Sequence, residues 1–197
     1  MKRSNIILLS VLAIVLLWGV STYNGLISIN QEVKKTWANV ESAYQRRNDL
    51  VNQLIDVVKQ ASNYEKSTLE AVVNARASAT QVKLDINDLT PEKMQQFQAA
   101  QQSLSGALGR LLAISENYPN LKAMEQYGKL QNSIEETENR IKKERDIFNE
   151  TVARFNVKVK KLPTALIAGF MGYSEKPMFQ AEAGTEKAPD VGSRFNN

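Results

Sequence analysis

Between Leu26 and Thr90 the chain contains neither glycine nor proline, and so long a run without a helix breaker favours helix over any other element. Along it Val33, Trp37, Val40, Tyr44, Val51, Leu54, Val58, Ala61, Val72 and Ala75 fall on alternating steps of four and three. That is the roughly 3.5-residue period of a left-handed helix-packing seam. Leu50, Ile55, Val57, Leu69 and Val73 widen the stripe, so the face meets two neighbours. Three seam positions are not apolar: Arg47, Glu65 and Thr68. Asp85-Ile86-Asn87-Asp88-Leu89-Thr90-Pro91 gathers turn formers, which ends the first helix near Lys83 and predicts a helix over 26–83.

Thr90-Pro91-Glu92-Lys93 supplies a hydroxyl cap and a proline in the first turn, starting a second helix over 91–117. Its apolar face is Met94, Phe97, Leu104, Leu108, Leu111 and Leu112, and Gly106 and Gly109 read as close packing contacts. A phosphate-cradling loop at those glycines would need a strand before it, and none is indicated. Pro119 blocks helix at the residue before it. A third helix over 121–162 follows, with Tyr127, Leu130, Ile134, Thr137, Ile141, Glu144 and Phe148 as its seam. Val152, Phe155, Val159 and Leu162 continue the seam, and Pro163 stops it. Residues 164–173 form a short apolar segment, and 180–197 lack periodicity and read as disordered. The expected fold is all-α: a membrane helix, then an antiparallel bundle of three long helices and a short C-terminal one, resembling a four-helix bundle.

These lengths disagree. At about 1.5 Å per residue the first helix spans roughly 87 Å, the second about 40 Å and the third about 63 Å. A short second helix cannot cover the apolar faces of the other two. Either the first helix bends so that four helices close, or neighbouring copies supply the missing cover.

Ahead of the bundle, Met1-Lys2-Arg3 precedes an apolar run from Ile6 to Val20 broken only by Ser10 and Gly19. As a helix, Ile6 to Tyr23 is roughly 27 Å long, close to the ~30 Å hydrocarbon thickness of a bilayer. Ile6, Leu9, Val11, Ile14, Leu17 and Trp18 are the anchor residues, with Trp18 and Tyr23 near one lipid–water boundary. A cleaved signal peptide has the same start, but the run is long and no convincing A-x-A site follows it. Lys2 and Arg3 lie close to one end of the run and Lys34 and Lys35 far from the other. The expectation is a single-pass membrane protein, residues 1–25 anchoring it and residues 26–179 outside the cytoplasm.

Composition narrows the chemistry. The 197 residues carry Lys+Arg 25 against Asp+Glu 21, a net charge of +4 that is too small to indicate nucleic acid. There is no cysteine and no histidine. Disulfides, thiolate nucleophiles, histidine-based triads and sulfur- or imidazole-ligated metals are thereby excluded. No cofactor is indicated. Asp85-Ile86-Asn87-Asp88 lacks the full calcium-loop pattern, and no spacing sets one carboxyl against another for acid–base work.

Several ordered motifs resemble the LemA family of bacterial membrane proteins. They are Tyr23-Asn24-Gly25-Leu26 through Trp37 to Arg46-Arg47-Asn48-Asp49-Leu50, then Leu69-Glu70 and Ala75-Arg76. Ser105-Gly106-Ala107-Leu108-Gly109-Arg110-Leu111-Leu112 and Glu116-Asn117-Tyr118-Pro119-Asn120-Leu121-Lys122-Ala123 are closer still. Thr137-Glu138-Asn139-Arg140-Ile141, Phe148-Asn149, Phe155-Asn156 and the segment from Pro163 to Gly172 complete the set. The resemblance implies one N-terminal membrane helix, a helical bundle and no established catalysis or cofactor. Where the family usually has Pro-Asn this chain has Asn52-Gln53, which removes a likely kink and favours a straight first helix. Leu162 stands where the family commonly has Phe.

The candidate functional residues are polar members of the seams. Arg47, Glu65, Thr137 and Glu144 either form a polar layer that fixes register or partner choice, or snorkel to the bundle edge. Lys158 to Lys161 precede Phe170 and Met171. Lys160, Lys161, Phe170 and Met171 therefore either touch an anionic membrane surface or belong to a segment folded back on the bundle. The function expected first is a self-associating structural or scaffolding protein of the envelope, anchored in lipid and forming homo-oligomers. The second is an adaptor whose groove binds a partner such as a membrane protease or signalling protein. An enzyme ranks third.

Overall fold

The computed structural model describes residues 3–60 and 66–181. Its elements in chain order are α1 (Arg3–Gln60), α2 (Lys66–Gln81), α3 (Pro91–Ser115), α4 (Pro119–Lys122), α5 (Glu125–Lys160) and α6 (Thr164–Phe170). All the described secondary structure is helical. Glu65, the helix path through 61–65 and most of the 180–197 tail lie outside the described residues.

α1 passes unbroken through Asn52 and Gln53, as the missing proline implies. The segment expected as one helix over 26–83 is instead two, because Val57 and Val58 share a core with Leu69 and Val72. Those four side chains meet only if the chain turns back between them. α2 then runs against α3, while α1 from Leu26 onward pairs with α5. Four helices therefore close at the end far from the membrane span. The length conflict is resolved within the chain.

The seams point inward as their spacing requires. Val33, Trp37, Val40, Tyr44, Arg47, Val51, Leu54 and Val58 of α1 are all buried. Tyr127, Leu130, Ile134, Thr137, Ile141, Phe148, Val152 and Phe155 of α5 are buried too. α3 starts where the cap predicts: the Thr90 hydroxyl accepts from Lys93 N at 3.3 Å, with Pro91 in the first turn. It ends at Ser115, and a one-turn helix at Pro119–Lys122 precedes α5. Gly106 and Gly109 are not packing contacts. Both face solvent, and a Cβ built on either meets no atom within 4 Å. Leu104, Ala107, Leu108 and Leu111 already occupy the inward face of that helix.

The core has two compartments. The distal one is almost wholly aliphatic, built from Val51 to Val58, α2, the second half of α3 and the start of α5. The proximal one, nearer the span, adds aromatic rings to its aliphatic side chains: Trp37, Tyr44, Phe97, Phe148, Phe155 and Phe179. Here α2 is absent. Val82, Leu84, Ile86 and Leu89 of the α2–α3 connection pack on one side, and the chain after α6 packs on the other.

That last segment begins at a glycine the geometry requires. Tyr173 N donates to Ala168 O at 2.9 Å and Gly172 N to Gly169 O at 3.1 Å, the paired bonds of a Schellman cap. Gly172 holds φ at 71°, in the left-handed region that favours glycine. The chain is thereby turned out of α6 and back along the bundle as a strap over residues 173–181.

The span itself projects from the bundle. α1 contains a window of mean hydropathy 2.3, none of it buried within the chain, near the N-terminus. Ile6, Leu9, Val11, Ile14, Leu17 and Trp18 are all exposed on it.

Candidate functional site

Arg47 lies where the two compartments meet, and at 1% exposure it does not snorkel. Its α1 position forces it inward because it occupies a seam step between Tyr44 and Val51. A buried guanidinium needs partners for its charge and its donors. Arg47 Nη1 donates to Ser105 Oγ at 2.7 Å and to Glu138 Oε1 at 2.8 Å. Arg47 Nη2 donates to the side-chain and backbone oxygens of Gln101. Gln101 Nε2 in turn donates to Ala79 O at 3.2 Å, and Ser105 Oγ to Glu138 Oε1 at 3.2 Å. Tyr44 contributes its ring face, 5.1 Å from the guanidinium carbon. Arg47 thus ties α1 to α3 and α5, and Gln101 extends the layer to α2 at the same level.

The layer is not sealed. Glu138 keeps 34% of its side chain exposed, so its carboxylate stays in contact with water. Arg47 Nε is buried and has no hydrogen-bond partner among the described residues. Beside the layer opens a groove of about 570 Å³, lined among others by Gln98, Gln102, Glu138, Lys142, Arg145 and Gln180. Its walls set amides and charges of both signs beside the apolar surfaces of Tyr44, Ile141 and Phe179. Burial pushes the Tyr44 phenol above its ordinary value, with Arg145 and Arg47 opposing, so the hydroxyl remains protonated at neutral pH.

The strap closes the proximal side of this groove, and three side-chain amides hold it. Asn156 Nδ2 donates to Lys176 O at 2.9 Å while Lys176 N donates back to Asn156 Oδ1 at 2.9 Å. Asn149 does the same for Phe179, at 3.0 and 2.8 Å. Gln98 repeats the pattern with Gln180, at 2.7 and 3.2 Å. Each amide presents one acceptor and one donor, as a neighbouring strand would, so the strap's backbone is satisfied without a sheet. Moving from Lys176 to Phe179 matches the seven-residue step from Asn156 to Asn149, about 10 Å on both counts, so the strap is extended.

Side chains fix the strap as well. The Phe179 ring lies 6.1 Å from Trp37, 6.5 Å from Phe97 and 5.7 Å from Phe148. Arg145 covers it at 4.7 Å and also donates to Gln180 O at 3.2 Å. Lys176 Nζ donates to Ile86 O at 3.0 Å, joining the strap to the α2–α3 connection. Burial holds that amine below the ordinary lysine range; nearby Lys34 adds to the effect and Asp85 opposes it.

Of the seam residues singled out by spacing, only Arg47 belongs to the layer. Thr137 is buried, but its hydroxyl donates to Ser133 O of its own helix at 2.7 Å. Glu144 is half-buried one helical step from the groove and takes no part in the Arg47 bonds. Glu138, Gln101 and Ser105 were not identified by seam spacing, because they flank the seam rather than occupy it. The available signals were Glu138 inside the Thr137-to-Ile141 motif and Ser105 at the head of the Ser105-to-Leu112 motif. Lys160 and Lys161 are exposed, Phe170 is exposed and Met171 is half-buried against the proximal core. Among the described residues no three carboxylates gather as a metal would require.

Comparison with known proteins bears on what such an arrangement belongs to. The chain is similar to magnetosome proteins MamQ 1 and MamQ 2 of Paramagnetospirillum magneticum, each 23% identical over 175 residues, 80% of this chain and 64% of the relative. It is also similar to magnetosome protein MamQ of Magnetospirillum gryphiswaldense, 26% identical over 178 residues, 79% of this chain and 65% of the relative. The chain therefore spans somewhat less than two thirds of these relatives' length. The unburied apolar span and these relatives together fit a membrane-associated protein. The model of the LemA family matches residues 36–192, a range that takes in the Arg47 layer, the groove and the strap, and on that match the chain belongs to the LemA family.

Proposed function

We propose that this chain is a membrane-tethered, non-catalytic adaptor that meets a partner protein through the polar groove beside Arg47. The observation that carries this reading is the closure of the bundle on itself. An uncovered apolar stripe is the feature that would drive the rods to associate with one another. Here both stripes are consumed inside one chain, by α2 and α3 in the distal half and by the connection and strap in the proximal half. The recess beside Arg47 carries amides and charges together with the Tyr44, Ile141 and Phe179 side chains, and suits a polar segment of another protein that also brings an apolar side chain. The relatives are named for magnetosomes and not for a reaction, which supports a structural role over catalysis.

A second reading, self-association into a scaffold, is favoured by the span alone, whose apolar surface has no partner within the chain. Mass photometry of the full-length protein in mild detergent separates the two. The adaptor reading expects a monomer; a discrete large oligomer would restore the scaffold. The inner membrane and an outward-facing bundle belong to the same proposal, supported by Lys2 and Arg3 beside one end of the span. The chain has no cysteine of its own. A single Glu70→Cys substitution on α2 should therefore react with a membrane-impermeant maleimide in intact spheroplasts, and labelling only after lysis would reverse the orientation.

A further inference from the structure

α6 presents two apolar faces, and only one is used. Ala168 is fully buried, and Ile167, Met171 and Tyr173 pack with it against the proximal core. The opposite face carries Leu166 at 71% and Phe170 at 96% exposure, in line with Leu162 at 71% just before the helix. Leu166 and Phe170 stand four residues apart, one above the other on the helix surface, and Leu162 is exposed in the turn that leads into it. Isolated exposed apolar residues are ordinary on a soluble surface, but a stacked pair with a nearly naked phenylalanine and an exposed leucine just before it is not.

The position of these residues indicates what covers them. The buried face of α6 docks on Leu26 and Ile29 of α1, and Asn30 Nδ2 donates to Tyr173 Oη at 3.5 Å. Leu26 is only about 5 Å along the helix axis from Tyr23, where the apolar span ends. The exposed residues are therefore carried on a helix that packs close to the level where the span ends. Beside it the chain exposes Lys158, Lys160 and Lys161. Lys160 pairs with Glu175, while Lys158 and Lys161 make no ion pair among the described residues. Apolar side chains flanked by lysines at a bilayer boundary are the pattern of an interfacial helix on anionic lipid.

We propose that α6 is a second membrane contact: Leu162, Leu166 and Phe170 enter the headgroup boundary of an anionic bilayer, and Lys158 and Lys161 face its phosphates. The contact fixes the bundle's tilt and rotation about the span, which a single helix leaves free. This inference rests on the span lying in a membrane, as the proposed function holds, so its test must report on the two separately.

Full-length protein carrying Phe170→Cys, labelled with an environment-sensitive bimane, is reconstituted into phosphatidylcholine–phosphatidylglycerol vesicles. The absence of native cysteine makes the label unique, and the exposure of Phe170 leaves folding untouched. Flotation with the vesicles reports the span. The probe reports α6: it should lose most of its emission to nitroxide-labelled lipid and be shielded from aqueous iodide. The same label at Val73→Cys, exposed in the distal half, should show the reverse. A protein that floats while its 170 probe is open to iodide and blind to nitroxide lipid overturns the proposal. So does a probe shielded from both, which would mark a protein interface. Equal lipid quenching in pure phosphatidylcholine would overturn the part given to the lysines.

Discussion

The two halves of the bundle solve the same covering problem with different materials. In the distal half four helices enclose a core of Val, Leu, Ile and Ala, and the helix backbones satisfy themselves. In the proximal half two helices, the start of α3, a connection and a strap enclose a core in which six aromatic rings pack among aliphatic side chains. Non-helical backbone cannot be laid on a core unless its amides find partners. Asn149, Asn156 and Gln98 meet that requirement, and the large rings fill the wider and less regular space between a strap and a helix. Helix-on-helix contact needs only periodicity; strap-on-helix contact needs particular side chains at particular places.

The comparison breaks most readily at Phe179. Phe179→Ala removes a ring packed among Trp37, Phe97 and Phe148 and should cost about 3–5 kcal/mol, measured by urea unfolding. The loss should fall on the proximal half, with amides of α2 and distal α3 retaining their exchange protection. Uniform loss would mean that the halves are one cooperative unit.

Next comes the joint between them. Glu138→Ala strands the buried Arg47 guanidinium and should cost about 3 kcal/mol, whereas Arg47→Met leaves a carboxylate that can reach water and should cost about 1 kcal/mol or less. The order of the two melting temperatures is the test. An Arg47→Met variant less stable than Glu138→Ala would show that the pair's attraction, and not desolvation, governs the layer.

Asn149→Ala orphans the Phe179 amide and carbonyl and should cost about 1–3 kcal/mol, with strap amides exchanging faster and the distal half unaffected. At the small end, Gly109→Ala should raise stability by about 0.5–1 kcal/mol, since the helix gains propensity and the new methyl meets nothing. A destabilised Gly109→Ala would mean that a neighbour covers that face after all.

The contrast also explains what could be read from the chain alone. The helical class, the α1 and α5 seams, the Thr90-Pro91 start and the break at Pro163 were legible, because each follows from local period or propensity. The reversal between Val58 and Leu69 was not, since the seam keeps its period through Ala61 and Val72 with no glycine or proline to mark a turn. The placement of Arg47 inside rather than at the edge depended on Gln101, Ser105 and Glu138 arriving from other helices, which no spacing along α1 reveals. The strap was hidden for a similar reason. The Phe148-Asn149 and Phe155-Asn156 pairs, one heptad apart, were visible as motifs, but their meaning as clamps requires the partner backbone at Lys176 and Phe179.

Amide hydrogen exchange of the full-length protein over residues 174–181 tests the central claim, that the chain covers its own core with an amide-clamped strap. The N–H groups of Lys176, Phe179 and Gln180 should be protected by orders of magnitude relative to those of Ser174 and Glu175. Exchange of all five at the rate of an unstructured peptide would contradict it, and would return the uncovered proximal face to a neighbouring molecule.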